Sequence, residues 1–246
     1  MNNGFLSRIP PVTKNLIIIN VLVWGAMMLL PQSFTVRMTD LFALHSIGNP
    51  DFYPWQLFTY MFLHSTQSFF HVFFNMFTLF MFGSTLEYVL GSKRYLFYYI
   101  TCGIGAALIQ EGVMWALASN ALQAIPEGVM EMQPDGSVLY NPLFREQVEA
   151  YFQYYAIVTV GASGAIYGLL LAFGVLFPNR PLYIMFIPIP VKAKYMVVVW
   201  TVLELSLGIG GVQDSVAHFC HLGGMLVGLL MILYWKKKGL AGGGFY

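Results

Sequence analysis

Long apolar stretches, set apart by the few charged residues in the chain, constrain this sequence more than any motif in it. Several approach or exceed the roughly 20 residues that carry a helix across a bilayer. A backbone in hydrocarbon must satisfy its own hydrogen bonds, and segments of this length do so as helices. Only 9% of the 246 residues are charged and 58% are hydrophobic, whereas a soluble domain carries about 25% charged residues. The sequence therefore reads as an all-α polytopic membrane protein. Its formal net charge of +1 and the lack of a basic cluster interleaved with aromatics give no reason to expect nucleic acid. The two cysteines, Cys102 and Cys220, fall in different expected spans, which suggests neither a disulfide framework nor a metal knuckle.

Six spans are expected, at approximately 15–30, 68–90, 95–117, 155–177, 194–208 and 215–235, within one membrane domain covering 1–246. The stretch from Met1 to Pro11 lacks a cleavable signal pattern, so the first span is expected to remain as an anchor. Outer connections would cover 31–67 and 118–150. In the first, Phe52-Tyr53-Pro54-Trp55 reads as an interfacial segment. The second is the most soluble-looking part of the chain, with Pro126, Pro134 and Pro142. Ten of the twelve Lys and Arg residues fall in the two terminal tails or the 2–3 and 4–5 turns, leaving Arg37 and Arg145 on the other side. By the bias of basic residues toward the cytoplasm, both termini are cytoplasmic.

This topology sets depth. Spans two, four and six run in the same direction, so counting back from their inner ends compares levels. At a rise of 1.5 Å per residue, Ser163 lies about 21 Å above Phe177, His221 about 21 Å above Trp235, and Asn75 about 22 Å above Leu90. His71 stands one turn above Asn75. Polar groups gathered at one level in hydrocarbon are expensive unless they serve a site. Ser163 lies in Gly161-Ala162-Ser163-Gly164-Ala165-Ile166-Tyr167-Gly168, which reads on its own either as a small-residue packing stripe or as a nucleophile awaiting a base. Gly164 and Gly168 form a GxxxG, as do Gly224 and Gly228, and such faces let helices approach closely. That approach would bring the Ser163 hydroxyl to the His221 imidazole, which could take its proton. His71 and Asn75, at i and i+4, could donate hydrogen bonds to a developing oxyanion.

These residues resemble the rhomboid family of intramembrane serine proteases. The resemblance rests on Gly161-Ala162-Ser163-Gly164 (GxSG), His71-Val-Phe-Phe-Asn75 (HxxxN) and Ala-His-Phe-Cys-His-Leu-Gly-Gly at 217–224, in the order and topology of the six-span bacterial core. It implies a serine endopeptidase with a Ser163–His221 dyad, no metal and no cofactor. It further implies an oxyanion hole made by His71, Asn75 and the Ser163 backbone N–H, with Gly161, Gly164 and Gly224 in support and Tyr167 packed on the His221 ring. The first outer connection would be a membrane-embedded loop and span five a lateral gate. Substrates would be single-span proteins cleaved near the outer face of the bilayer, in a bacterial cytoplasmic membrane, with the active site opening to the extracytoplasmic side. At Trp55-Gln56 the loop departs from the family, where Trp-Arg is common, and the 118–150 connection is longer than in a minimal core.

Other polar residues receive blander readings. His218 reads as a packing or hydrogen-bonding residue, His45 and His64 as structural, and Asp214 as a solvated loop residue. Cys220 cannot share a helix face with its neighbour His221. Glu87 reads as support for the following turn, while Glu111 and Glu204 receive no role. A zinc protease would need His-Glu-x-x-His, and an aspartyl protease paired membrane aspartates; neither pattern occurs. No repeat of the kind expected in a transporter is visible. The remaining alternative is a catalytically silent rhomboid-like protein that binds or escorts membrane helices.

Overall fold

The computed structural model describes residues 8–133, 137–183, 190–209 and 215–239. Helix α1 spans Pro11–Leu29 and opens with proline at its first position, where a missing N–H is no loss. The Glu87 carboxylate closes this end, accepting from the Val12 N–H at 2.9 Å, the Thr13 N–H at 2.7 Å and the Thr13 hydroxyl at 2.8 Å. It also accepts from the Ser92 hydroxyl at 2.7 Å. Glu87 thus supports the following turn, as expected. It also satisfies orphan donors of α1 and meets the positive end of that helix.

The connection after α1 is built rather than slack. It holds helix α2 (Gln32–Phe42), a two-residue strand β1 (Leu44–His45) and helix α3 (Gln56–Thr59), which runs on into a 3-10 turn at Tyr60–Phe62. Gln56 is fully buried. Its Oε1 accepts from the His45 N–H at 3.2 Å, and its Nε2 donates to the carbonyls of Asp51 at 2.8 Å and Asp40 at 3.1 Å. A neutral amide therefore anchors the loop at the position where the family pattern has arginine.

Helices α4 (Phe69–Thr78) and α5 (Ser84–Leu90) form one rod, joined through a π-helical stretch at Leu79–Gly83. Helix α6 (Ser92–Gln123) extends past the expected end near Leu117. The connection beyond it folds into a hairpin of β2 (Met130–Met132) with β3 (Val138–Tyr140), followed by helix α7 (Arg145–Tyr155).

The chain then departs from the expected span at 155–177. The run Ile157-Val158-Thr159-Val160 is β-branched, and β4 (Val158–Thr159) pairs antiparallel with β1. Helix α8 begins only at Ser163 and ends at Leu176. Strands β5 (Pro181–Tyr183) and β6 (Pro190–Lys192) pair next, then helices α9 (Ala193–Ile209) and α10 (Ser215–Lys237) complete the described elements.

Among the described residues, four helical stretches, Pro11–Leu29, Phe69–Leu90, Ser92–Gln123 and His218–Lys237, are long and apolar enough to cross a bilayer, and α8 is a shorter apolar helix. Their outward side chains suit lipid: Leu22 is 66% exposed, Phe70 65%, Trp115 68% and Leu230 61%. The molecule is an integral membrane protein.

Helix α8 runs through the middle, enclosed by α6 and α10. A Cβ at Gly224 would fall on the Gly164 carbonyl, and one at Gly228 would stand 3.1 Å from the Gly168 Cα, so the two GxxxG faces meet backbone to backbone. The Tyr98 hydroxyl donates to the Gly168 carbonyl at 2.8 Å, and the Tyr60 hydroxyl to the Gly103 carbonyl at 2.8 Å. These buried phenols combine apolar bulk with a satisfied polar tip.

Candidate active site

The start of α8 is shaped by Gly161. Its φ of +125° is a conformation open to glycine, and a Cβ there would come within 2.9 Å of His71 Nε2. The Gly161 N–H donates to the Tyr60 carbonyl at 3.0 Å, fixing the turn. Ser163 follows as the first residue of α8, where backbone N–H groups lack intrahelical acceptors and the helix dipole is positive.

His221 on α10 meets it. The Ser163 Oγ lies 2.8 Å from His221 Nε2, within the normal range for a hydrogen bond. Tyr167, one turn along α8, stacks on the His221 ring, with centroids 4.1 Å apart and planes 8° from parallel. The other ring nitrogen, Nδ1, faces Glu204 Oε2 at 3.1 Å. The same oxygen lies 2.5 Å from His218 Nδ1, and Oε1 accepts from the Tyr167 hydroxyl. Glu204, on α9, is the residue of this cluster that carried no role in the sequence.

His71 and Asn75 stand across the cleft on α4. The Ser65 N–H donates to His71 Nδ1 at 3.1 Å. In the neutral ring this puts the proton on Nε2, the atom facing Gly161. Asn75 donates from Nδ2 to the His71 carbonyl at 2.8 Å, which uses one of its two amide hydrogens. Both residues line the same cleft of about 730 Å³ as Ser163 and His221, together with Trp200 of α9 and Phe74 of α4.

The remaining candidates separate cleanly. His45 is buried in the first connection, its Nδ1 3.2 Å from the Ala43 carbonyl. His64, between the 3-10 turn and α4, is 1% exposed, and burial followed by the nearby His71 lowers its pKa to about 3. Glu111 accepts from the Ile47 N–H at 2.7 Å and so ties α6 to the first connection. Cys102 and Cys220 are buried free thiols. Asp214 lies outside the described residues.

The Glu204 carboxylate and the Nδ1 atoms of His218 and His221 lie within 4.8 Å of one another, a donor set known from zinc sites. Ligand atoms around tetrahedral zinc stand roughly 3.3 Å apart, given bonds near 2.0–2.2 Å. The 2.5 and 3.1 Å spacings to one carboxylate oxygen are instead those of direct hydrogen bonds.

With its serine, imidazole and donor-lined cleft in view, the chain can be compared with known proteins. Residues 51–238 match the family model described as Rhomboid domain. The chain belongs to the rhomboid family. It is 30% identical over 175 residues to Rhomboid protease AarA of Providencia stuartii, covering 70% of this chain and 52% of that protein. It is 28% identical over 178 residues to Rhomboid protein 1, mitochondrial, of Saccharomyces cerevisiae, covering 70% of this chain and 40% of that protein. The candidate rhomboid protease YdcA of Bacillus subtilis is 24% identical over 233 residues, 94% of this chain and 92% of YdcA. The matches thus span about half of the first two relatives' length and nearly all of the third. Two of these three relatives, those of Providencia stuartii and Bacillus subtilis, carry the word protease in their names.

Proposed function

We propose that this rhomboid chain is an intramembrane serine endopeptidase in which Ser163 is the nucleophile and His221 the base. The observation that carries the reading is the 2.8 Å contact between Ser163 Oγ and His221 Nε2. It favours an enzyme over a silent protein that merely escorts membrane helices. His221 takes the Ser163 proton as Oγ bonds to the scissile carbonyl carbon, and the carbonyl π pair moves onto oxygen. His71 Nε2–H, the free Asn75 amide hydrogen and the Ser163 backbone N–H receive that oxyanion. When the C–N bond breaks, the imidazolium returns the proton to the leaving amine. A water activated by the same imidazole then releases the acyl group.

The surroundings extend the proposal. All of 1–246 forms one rhomboid-type membrane domain, with six spans and both termini cytoplasmic, as the basic-residue bias supports. The cleft then opens toward the extracytoplasmic face of a bacterial cytoplasmic membrane. Substrates are single-span proteins whose helix unwinds near that face, admitted past α9, and the chemistry needs neither metal nor cofactor.

Labelling of the purified protein by a fluorophosphonate tests the reading. The wild-type chain labels, whereas the Ser163→Ala and His221→Ala chains, still folded, neither label nor cleave a membrane-embedded substrate. Normal turnover by Ser163→Ala would overturn it.

A further inference from the structure

Ser163, His221 and Glu204 come from three different helices, α8, α10 and α9. Ser163 and Glu204 engage the His221 imidazole from opposite sides. Nε2 faces the Ser163 hydroxyl at 2.8 Å, and Nδ1 faces the Glu204 carboxylate at 3.1 Å. We propose that Glu204 is a positioning residue that completes a Ser163–His221–Glu204 triad, extending the Ser163–His221 pair on whose catalytic reading this inference rests.

The argument begins with donors and acceptors. An ionised carboxylate can only accept hydrogen bonds. His221 facing it through Nδ1 therefore carries its proton there and leaves the Nε2 lone pair free for Ser163. Without such a partner the neutral ring could take either tautomer, and one of the two cannot serve as a base. When the Ser163 proton arrives at Nε2, the ring becomes an imidazolium whose Nδ1–H still points at Glu204. The negative charge is already in place and need not reorganise. The proton stays on Nδ1 throughout. The one that moves passes from Ser163 to Nε2 and from there to the leaving amine nitrogen.

The surroundings of the carboxylate support the role. A carboxylate within a membrane bundle is costly unless its oxygens are satisfied. Here Oε1 accepts from the Tyr167 hydroxyl, and Oε2 faces both imidazoles. Tyr167 also holds the face of the His221 ring. One phenol thus locks the plane of the base and the position of the carboxylate that orients it. Because α9 supplies Glu204, the triad is complete only while that helix lies against both α8 and α10.

The competing reading makes Glu204 a tie between helices, with His218, at 2.5 Å, its main partner. Full-length Glu204→Asp and Glu204→Gln chains separate the two, because each keeps what the other loses. Glutamine keeps length and can still accept from Tyr167; aspartate keeps the charge. Rates are taken per folded molecule from substrate cleavage, with fluorophosphonate labelling of Ser163 and the melting temperature measured in parallel.

For a triad, Glu204→Gln loses kcat by roughly 10³- to 10⁴-fold, as when an orienting carboxylate becomes an amide. KM changes only a few-fold, and Glu204→Asp is at least tenfold faster than Glu204→Gln. For a tie, the order reverses and activity follows the melting temperature. Near wild-type kcat in Glu204→Gln, or a Gln variant faster than Asp, would overturn the triad. Should Glu204→Gln give little folded protein, Glu204→Asp against Glu204→Ala carries the comparison, and equal rates there overturn it too. An inactive Ser163→Ala chain beside an active Glu204→Gln chain removes Glu204 alone and leaves the serine-protease reading standing.

Discussion

Tyr167 lies face to face with His221, their ring centroids 4.1 Å apart and their planes within 8°, while its hydroxyl donates to Glu204. One side chain therefore restrains the imidazole in two independent ways. Stacking contributes about 0.5–1.5 kcal/mol, and a hydrogen bond to a charged group about 1.5–3 kcal/mol. Tyr167→Phe keeps the stack and is expected to lower kcat about tenfold; Tyr167→Ala, which loses both, is expected to fall further. The ratio of the two rates in a cleavage assay checks this, and equal rates would assign the whole effect to the hydroxyl.

The α4 pair is expected to divide unequally. His71 aims its Nε2 toward Gly161, whereas Asn75 already spends one amide hydrogen on the His71 carbonyl. Loss of one oxyanion donor costs about 10²- to 10³-fold in kcat. His71→Ala is expected within that range and Asn75→Ala below it, both with melting temperatures close to wild type. Unchanged kcat in the double variant would remove both from the site.

The crossing of α8 and α10 leaves no room for a methyl group. A Cβ at Gly224 would fall on the Gly164 carbonyl, and backbone cannot rotate aside as a side chain can. Overpacking typically costs about 1–3 kcal/mol, and Gly224→Ala is expected at or beyond the upper end. Its melting temperature should drop clearly, with cleavage lost as Ser163 and His221 separate.

Gln56 offers a test in the first connection. Gln56→Ala leaves the buried His45 N–H and two carbonyls without a partner, at about 1–3 kcal/mol for each unsatisfied group. A lowered melting temperature with the same rate of fluorophosphonate labelling per folded molecule is the expected outcome. A loss of labelling with no loss of stability would instead connect the loop directly to the cleft.

His64 gives the stability a pH dependence. Its pKa falls from the ordinary 6.5 to about 3 in the folded chain, so below pH 6.5 the unfolded chain binds this proton and the folded chain does not. The His64 contribution is fully present above pH 6.5 and is lost as pH falls from there toward about 3. His64→Phe should flatten the fall in melting temperature across that window. Parallel curves for the two chains would contradict the assignment.

Much of this architecture was legible in the residues. The glycine spacings on α8 and α10 announced a close crossing, and that crossing brings Ser163 and His221 together. Glu204 was not legible as their partner. Apolar residues surround it on α9, with Val198, Val199, Val202 and Leu203 all exposed, so no polar stripe reports which way the helix turns. A carboxylate in a span advertises that it needs donors, but the donors lie 14, 17 and 37 residues away on other helices. The start of α8 was hidden for a different reason. Ile157-Val158-Thr159-Val160 is apolar enough to extend a span by hydropathy, yet β4 pairs with β1, a partner more than a hundred residues earlier in the chain.

The wide turn at Leu79–Gly83 sets the angular phase of the rod that carries His71 and Asn75. Glu87 follows Asn75 by twelve residues, which in an unbroken α-helix of 3.6 residues per turn leaves them roughly 120° apart. A π stretch absorbs about one residue, and the offset shrinks to roughly 20° at the same pitch. Asn75 at the cleft and Glu87 beneath α1 can then both face inward, and both are buried. The rod is, in effect, one residue too long for its two duties and stores the surplus as a bulge. Deleting one residue within 79–83 should therefore leave both ends in phase, whereas the same deletion within 71–75 would change the spacing of His71 and Asn75 and turn one of them away from the nucleophile.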